Sequence, residues 1–81
     1  MLLELASLEK VVGIKQSCKA LRDGRARKVF LACDADPAMV EPVAAQCVGD
    51  GIPVETHYTM AQLGQACRIT VGASVVVVLA V

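Results

Sequence analysis

The stretch SVVVVLAV, Ser74 to Val81, decides the fold class. Its β-branched residues run on without the alternation of apolar and polar positions that a strand with one wet face would show. Both faces of such a strand must be covered, which predicts the middle of a sheet with helices on either side.

Working outward, the stretch KVFLAC, Lys28 to Cys33, reads as a second buried strand, because Val29, Phe30 and Leu31 are contiguous β-formers. Pro53 to His57 reads as a short strand with Pro53 at its first position, where a missing donor is tolerated. A short extra strand is expected at Val11 to Gly13. Between these lie helical patterns. A leucine-rich helix is expected to open the chain, and a second follows Gly13, with Ile14, Cys18 and Leu21 as its buried stripe and Gly24 as its C-cap. Asp36 before Pro37 is an N-cap signal, and Pro42 suggests that the main helix begins again there, carrying Val43, Ala44, Cys47 and Val48 inward until Gly49 to Gly51 stop it. Thr59 with Gln62 three residues later forms a capping box, and Met60, Leu63 and Cys67 supply the apolar face of the last helix. The order predicts an α/β fold, a three-layer α/β/α sandwich with a small mixed sheet, folded as a single domain over residues 1–81.

Composition agrees with one aliphatic core: 81 residues, 56% hydrophobic, with one tyrosine and one phenylalanine. The opening residues lack the basic and long apolar regions of a signal peptide, and the apolar C-terminal run is far shorter than the roughly 20 residues of a membrane span. A cytoplasmic protein without a membrane partner is expected. Cys18, Cys33, Cys47 and Cys67 are spaced by 15, 14 and 20 positions, so no C-x-x-C pair begins a zinc site, and four buried or half-buried thiols are expected instead. No metal or other cofactor is called for. His57, the single histidine, has no partner pattern for catalysis, and the glycine-lysine spacing at Gly13 lacks the G-K-[ST] of a phosphate loop. Asp34 and Asp36 are spaced like paired carboxylates, but Asp36 is accounted for as a helix cap and Asp34 as a turn residue. No catalytic constellation is complete, and a non-enzymatic protein is expected.

The formal net charge of +0 conceals a strong asymmetry. Lys10, Lys15, Lys19, Arg22, Arg25, Arg27 and Lys28 face only Asp23 between positions 10 and 28, which gives that segment +6; elsewhere Arg68 stands against seven acids, which gives −6. A cationic side of this kind draws phosphates, although lysines and arginines scattered for solubility would give the same sum. Helical phase sharpens the point. With Ile14, Cys18 and Leu21 inward, Lys15 and Lys19 share the outer face and Gln16 lies beside Lys15 at the exposed start of the helix. Like charges four apart cost a few tenths of a kcal/mol, and the helix dipole makes Lys15 less favourable still. A free helix N-terminus, an amide and two ammonium groups are together equipped to meet phosphates and base edges.

The stretches GIKQSCKALRDGRARKVFLACDADP and IPVETHYTMAQLGQACRITVGASVVVV resemble the ribosomal protein L-seven-Ae family of kink-turn RNA-binding proteins, in particular its short bacterial members. The likeness runs from about Val11 to the C-terminus and rests on G-x-(N/K)-(E/Q)-x-x-K at Gly13 to Lys19, D-x-D-P at Asp34 to Pro37, the Leu63-Gly64 pair, and I-x-V-(G/A)-A at Ile69 to Ala73. The resemblance implies that the backbone near Gly13 and Ile14, with Lys15, Gln16 and Lys19, enters the groove at the sheared G·A pairs of a kink-turn. It implies also that Ile69, Thr70, Val71 and Gly72 lie beside the flipped-out nucleotide. Lys28 and Arg68 are expected to extend the footprint, together with Arg25 and Arg27. The expected partner is structured RNA, either ribosomal RNA or a messenger leader, bound by a monomer, with no DNA. The chain departs from the family pattern in three places. Lys15-Gln16 stands where archaeal and eukaryotic members carry Asn-Glu, Arg68 where most members carry glycine, and Thr70 where most carry glutamate. A left-handed backbone at Arg68 would cost on the order of 1 kcal/mol. Two other classes compete with the RNA reader: a module binding a small phospho-ligand near Asp34 and Gly13, and a protein-interaction domain docking through the apolar loop.

Overall fold

In a computed structural model, which describes residues 9–80, seven elements follow one another: β1 (Lys10–Val12), α1 (Ile14–Arg22), β2 (Ala26–Leu31), α2 (Pro37–Asp50), β3 (Val54–Glu55), α3 (Met60–Ala66) and β4 (Val75–Leu79). The leucine-rich helix expected at the start of the chain falls on residues 1–8, outside the described residues, as does Val81. The sheet runs β1-β4-β2-β3. β4 is antiparallel to both its neighbours, with Val77 opposite Val11 on one side and Val29 on the other, while β3 lies parallel to β2. The valine-rich strand is thus interior, and each of its residues is buried. Its alternation serves two cores. Val75, Val77 and Leu79 join Ala20, Leu21, Val29, Val43 and Cys47 beneath α1 and α2, while Val76 and Val78 join Phe30, Ala73 and Leu63 beneath α3. The three layers are therefore two helices, the mixed sheet and one helix.

The inner face of α1 carries more than its apolar pattern predicts. Ser17, Ala20 and Leu21 are buried, and Ile14 and Cys18 are half-buried against the same cluster. Ser17 shares a face with Ile14, Cys18 and Leu21 by helical spacing, and its small side chain goes inside despite a hydroxyl that finds no hydrogen-bond partner. Lys15, Gln16, Lys19 and Arg22 remain exposed on the other side.

Two expectations for α2 are corrected. The helix does not restart at Pro42 but runs unbroken from Pro37 to Asp50, opened by the Asp36 carboxylate, which accepts from the Ala38 N–H at 3.0 Å. Pro42 removes only the hydrogen bond to the Ala38 carbonyl, and both residues are exposed, so solvent can satisfy that oxygen. Val48 does not point inward: it is 80% exposed, because the face set by Val43 and Cys47 leaves it about 100° further round the helix. Cys33 is also exposed rather than a strand residue of the core. Hydrogen bonding to β4 continues only to Ala32, whose N–H reaches the Ser74 carbonyl, and the next amide turns to the Tyr58 carbonyl at 2.9 Å. Cys47 is fully buried, and burial, with the nearby Asp50 charge, pushes its thiol up; burial does the same to Cys67.

β3 is shorter than the predicted Pro53 to His57. Pro53 itself precedes the strand and contributes its carbonyl to the Val29 N–H at 3.0 Å. α3 opens with the predicted capping box: Thr59 Oγ accepts from the Gln62 N–H at 3.1 Å, and Gln62 Oε1 accepts from the Thr59 N–H at 2.9 Å.

The three helices among the described residues end alike, with the paired backbone bonds that require one left-handed residue. After α1, Arg25 N–H reaches the Ala20 carbonyl and Gly24 N–H reaches Leu21; after α2, Ile52 reaches Cys47 and Gly51 reaches Val48; after α3, Ile69 reaches Gly64 and Arg68 reaches Gln65. The left-handed positions are Gly24 at φ 68°, Gly51 at φ 69° and Arg68 at φ 61°. Two helices end in the residue the geometry favours. The third ends in arginine.

Candidate nucleic-acid interface

Gly13 joins β1 to α1 at φ 101° and ψ 156°, a combination that an L side chain opposes sterically and that glycine adopts freely. Its N–H donates to the Val75 carbonyl at 3.0 Å, and its own carbonyl accepts from Ser17 N–H at 3.0 Å to begin the helix. The start of α1 is thereby pinned to the first residue of β4. No side chain caps it, and its first turn holds no acidic residue, whereas α2 has Asp36 and α3 has its capping box. An open helix start with Lys15 and Gln16 on its exposed face is an electropositive surface with unspent donors.

The second half of the surface is the loop from α3 to β4. Arg68, Ile69, Thr70, Val71 and Gly72 are all exposed, including an apolar pair, with Ile69 at 37% and Val71 at 69% exposure. The loop is held rigidly at its base. A Cβ added to Gly64 would strike the Val71 carbonyl oxygen and approach the Gly72 Cα at 3.1 Å, so the loop lies directly on the bare backbone of α3. A Cβ on Gly72 would meet the Met60 Cβ at 3.0 Å, and Ala73 N–H donates to the Met60 carbonyl at 3.0 Å. From Ala73 the chain passes through Ser74 into Val75, the residue that holds Gly13. The loop and the start of α1 are both tied to that one strand end.

The helix start that carries Gly13, Lys15 and Gln16 is thus pinned to Val75, three residues after Gly72 closes the loop, and Lys19 lies one turn further along α1. Ile14 belongs to the same segment, but its half-buried side chain packs against the core beneath α1. Lys28 is set apart. It lies opposite Val78, three residues along β2 from Leu31, which pairs with Val75, or about 10 Å away along the sheet. Its ammonium is already engaged, 3.3 Å from the Glu55 carboxylate and 5.1 Å from the centre of the Phe30 ring. Arg25 and Arg27 lie at that far end too, where Ala80 N–H reaches the Arg25 carbonyl at 2.7 Å. The basic segment of the sequence is therefore divided between two ends of the domain, because α1 carries the chain from one end of the sheet to the other.

Asp34 lies in a turn, as its sequence predicts, and its Oδ1 also accepts from Met60 N–H at 2.8 Å, across 26 residues. The motif D-x-D-P marks the place, but the partner is brought there only by the fold.

Arg68 yields a prediction with opposite signs in two measurements. Arg68→Gly relieves the left-handed strain and should raise stability by about 0.5–1 kcal/mol, after the unfolded-state entropy of glycine is offset. If Arg68 meets a phosphate, as the family resemblance implies, the same change should weaken RNA binding and lower the magnitude of the salt slope by roughly 0.7–0.9. Thermal melts and binding titrations at several salt concentrations read both. A lower melting temperature would contradict the strain assignment.

The layered fold, with an uncapped cationic helix start beside an apolar loop, defines a small α/β/α binding domain; among the described residues no group of three or more His, Cys, Asp or Glu is placed to hold a metal. The chain belongs to the ribosomal protein L7Ae/L30e/S12e/Gadd45 family, whose model matches residues 5–81. The family is non-enzymatic. A protein of Geobacillus sp. strain WCH70 named as an RNA-binding protein is 41% identical over 69 residues, covering 85% of this chain and 84% of that protein. RNA-binding protein YbxF of Geobacillus stearothermophilus is 42% identical over 69 residues, with the same 85% and 84% coverage. Among solved structures, the 15.5kD RNA binding protein of Giardia lamblia superposes with a TM-score of 0.87 at 26% identity, over 99% of this chain and 68% of that one. A Bacillus halodurans protein of unknown function superposes with a TM-score of 0.84, also at 26% identity, over 95% of this chain and 82% of that one.

Proposed function

We propose that this protein binds RNA and stabilises the kink-turn form of its target. The observation that carries the reading is the Gly13–Val75 hydrogen bond, which pins an uncapped cationic helix start to the strand that the exposed apolar loop leads into. The two halves suit the two parts of a kinked RNA. Lys15 and Gln16 can donate to the O6 and N7 acceptors of guanine edges in an opened groove, while Ile69 and Val71 offer an apolar surface to an unstacked base. Family membership and the relatives named as RNA-binding proteins support the RNA partner. The protein binds the bent form better than the extended one, so its affinity becomes a shift of population. A small phospho-ligand would need only the helix start, and would leave the apolar loop without a role.

A gel-shift comparing a kink-turn RNA with a duplex of equal length, at two salt concentrations, tests the reading. Neutralisation of about three or four phosphates should give log K against log salt a slope of roughly −2 to −4. The kink-turn should be preferred at both salts, and replacing its G·A pairs by Watson–Crick pairs should leave only the weak salt-sensitive binding. Equal affinity for the two RNAs would remove the kink-turn assignment. Lys19→Ala and Gln16→Ala should each weaken binding of the kink-turn by roughly five- to tenfold, at about 1–1.4 kcal/mol per lost contact. Lys28→Ala, whose ammonium is engaged by Glu55, should weaken it much less.

A further inference from the structure

We infer that Asp34 is a positioning residue for the loop of Arg68 to Gly72, acting through Met60 without touching RNA. This rests on the reading of that loop as an RNA contact. Met60 holds the end of the loop by two bonds, to Ala73 and Ser74, and is itself held by a third, to Asp34. Its N–H donates to Asp34 Oδ1 at 2.8 Å, its carbonyl accepts from Ala73 N–H at 3.0 Å, and its sulfur accepts from Ser74 Oγ at 3.6 Å. Its Cβ also lies where a side chain at Gly72 would have to go. Whatever fixes Met60 relative to the sheet therefore fixes the loop relative to Gly13 and α1.

Asp34 is suited to that task. It directly follows Cys33, whose N–H donates to the Tyr58 carbonyl at 2.9 Å, so the end of β2 grips the start of α3 by two bonds. The capping box satisfies Gln62 N–H within α3 itself. The N–H of the first helical residue, Met60, is left over, and Asp34 takes it from across the fold. A carboxylate at a helix N-terminus is also favoured by the helix dipole. The line from Asp34 through Met60 to Ala73 joins the β2–α2 connection to the α3–β4 loop. The other half of the candidate site is fixed independently, through Gly13 and Val75.

The sign of the effect separates positioning from electrostatics. A carboxylate near a phosphate-binding surface repels RNA, so removing it for charge reasons alone would strengthen binding. If Asp34 works by holding Met60, Asp34→Ala should instead weaken binding of a kink-turn RNA by roughly five- to tenfold, the fold-change of one hydrogen bond of ordinary net strength. Affinity for a straight duplex should stay the same or rise. In the free protein, exchange of the Ala73 amide should quicken. Asp34→Asn keeps Oδ1 and loses the charge; it should restore both the kink-turn affinity and the Ala73 protection.

The experiment measures amide exchange at Ala73 in the two variants and the parent protein, with binding of the kink-turn and duplex RNAs alongside. Loss in Asp34→Ala with recovery in Asp34→Asn supports the inference. Parental kink-turn affinity in Asp34→Ala overturns it, and so does an equal loss in both variants. Should the parent protein bind both RNAs alike, the functional reading falls first. The Ala73 exchange rates then decide by themselves whether Asp34 holds the loop.

Discussion

Gly64→Ala is expected to abolish the proposed preference for kinked RNA and to cost close to 3 kcal/mol of stability, near the top of the range for overpacking. The added carbon would meet the Val71 carbonyl oxygen and, at 3.2 Å, the Val71 carbonyl carbon. These are backbone atoms of a loop fastened on both sides, by Ile69 N–H to the Gly64 carbonyl and by Ala73 N–H to the Met60 carbonyl. A flexible side chain could swing away, whereas this loop must move as a unit or the helix must withdraw from Val76 and Val78. In a domain of this size the melting temperature should fall by about 12–24 °C. If the loop yields instead of the helix, stability is spared in part but Ile69 and Val71 are displaced, and kink-turn affinity falls by at least about tenfold. Thermal denaturation and gel-shift together distinguish the two responses. A variant with parental melting temperature and parental affinity would show that the loop does not lie on α3.

Gly13→Ala should also be costly, for a different reason. A Cβ at Gly13 meets nothing within 4 Å, so there is no collision to relieve. The penalty is in the backbone: φ 101° with ψ 156° costs an L residue about 1–3 kcal/mol. Either the variant keeps the conformation and loses about 8–16 °C of melting temperature for a cost of 2 kcal/mol, or it abandons the bond to Val75 and moves the start of α1. The first outcome leaves binding by the folded protein near parental, whereas the second weakens it by roughly tenfold, the fold-change of about 1.4 kcal/mol. Synthesis with D-alanine at position 13 provides the control, since the mirror-image residue is at ease with positive φ. Parental stability is expected for the D form. Equal losses for D- and L-alanine would show that backbone strain is not the source of the penalty.

Much of this protein is legible without coordinates because its signals are local. Asp36-Pro37 and Thr59 with Gln62 start helices through bonds to residues two or three positions away, so spacing alone reveals them. The glycines at 24 and 51 end helices for equally local reasons. Where local rules failed, the surroundings outweighed them. Pro42 looks like a helix boundary but costs one bond at an exposed carbonyl. Val48 is as apolar as Val43, yet only Val43 faces the sheet. Ser17 is polar but small enough to be placed inside.

The candidate site divides in the same way. Periodicity separates Lys15, Gln16 and Lys19 from the buried face of α1, whereas the left-handed backbone of Arg68 is visible only in the structure. What periodicity does not contain is distance between segments. The meeting of Gly13 with Val75, the seat of the loop on Gly64, the reach of Asp34 to Met60 and the removal of Lys28 to the far end of the sheet all depend on how strands pair. By itself, the sequence determined that an unbroken run of valines must lie between two layers of helices, because no face of that strand can tolerate water. Only the tertiary structure decided which cations stand together, because α1 spans the sheet and carries charges that adjoin in sequence to opposite ends of the molecule.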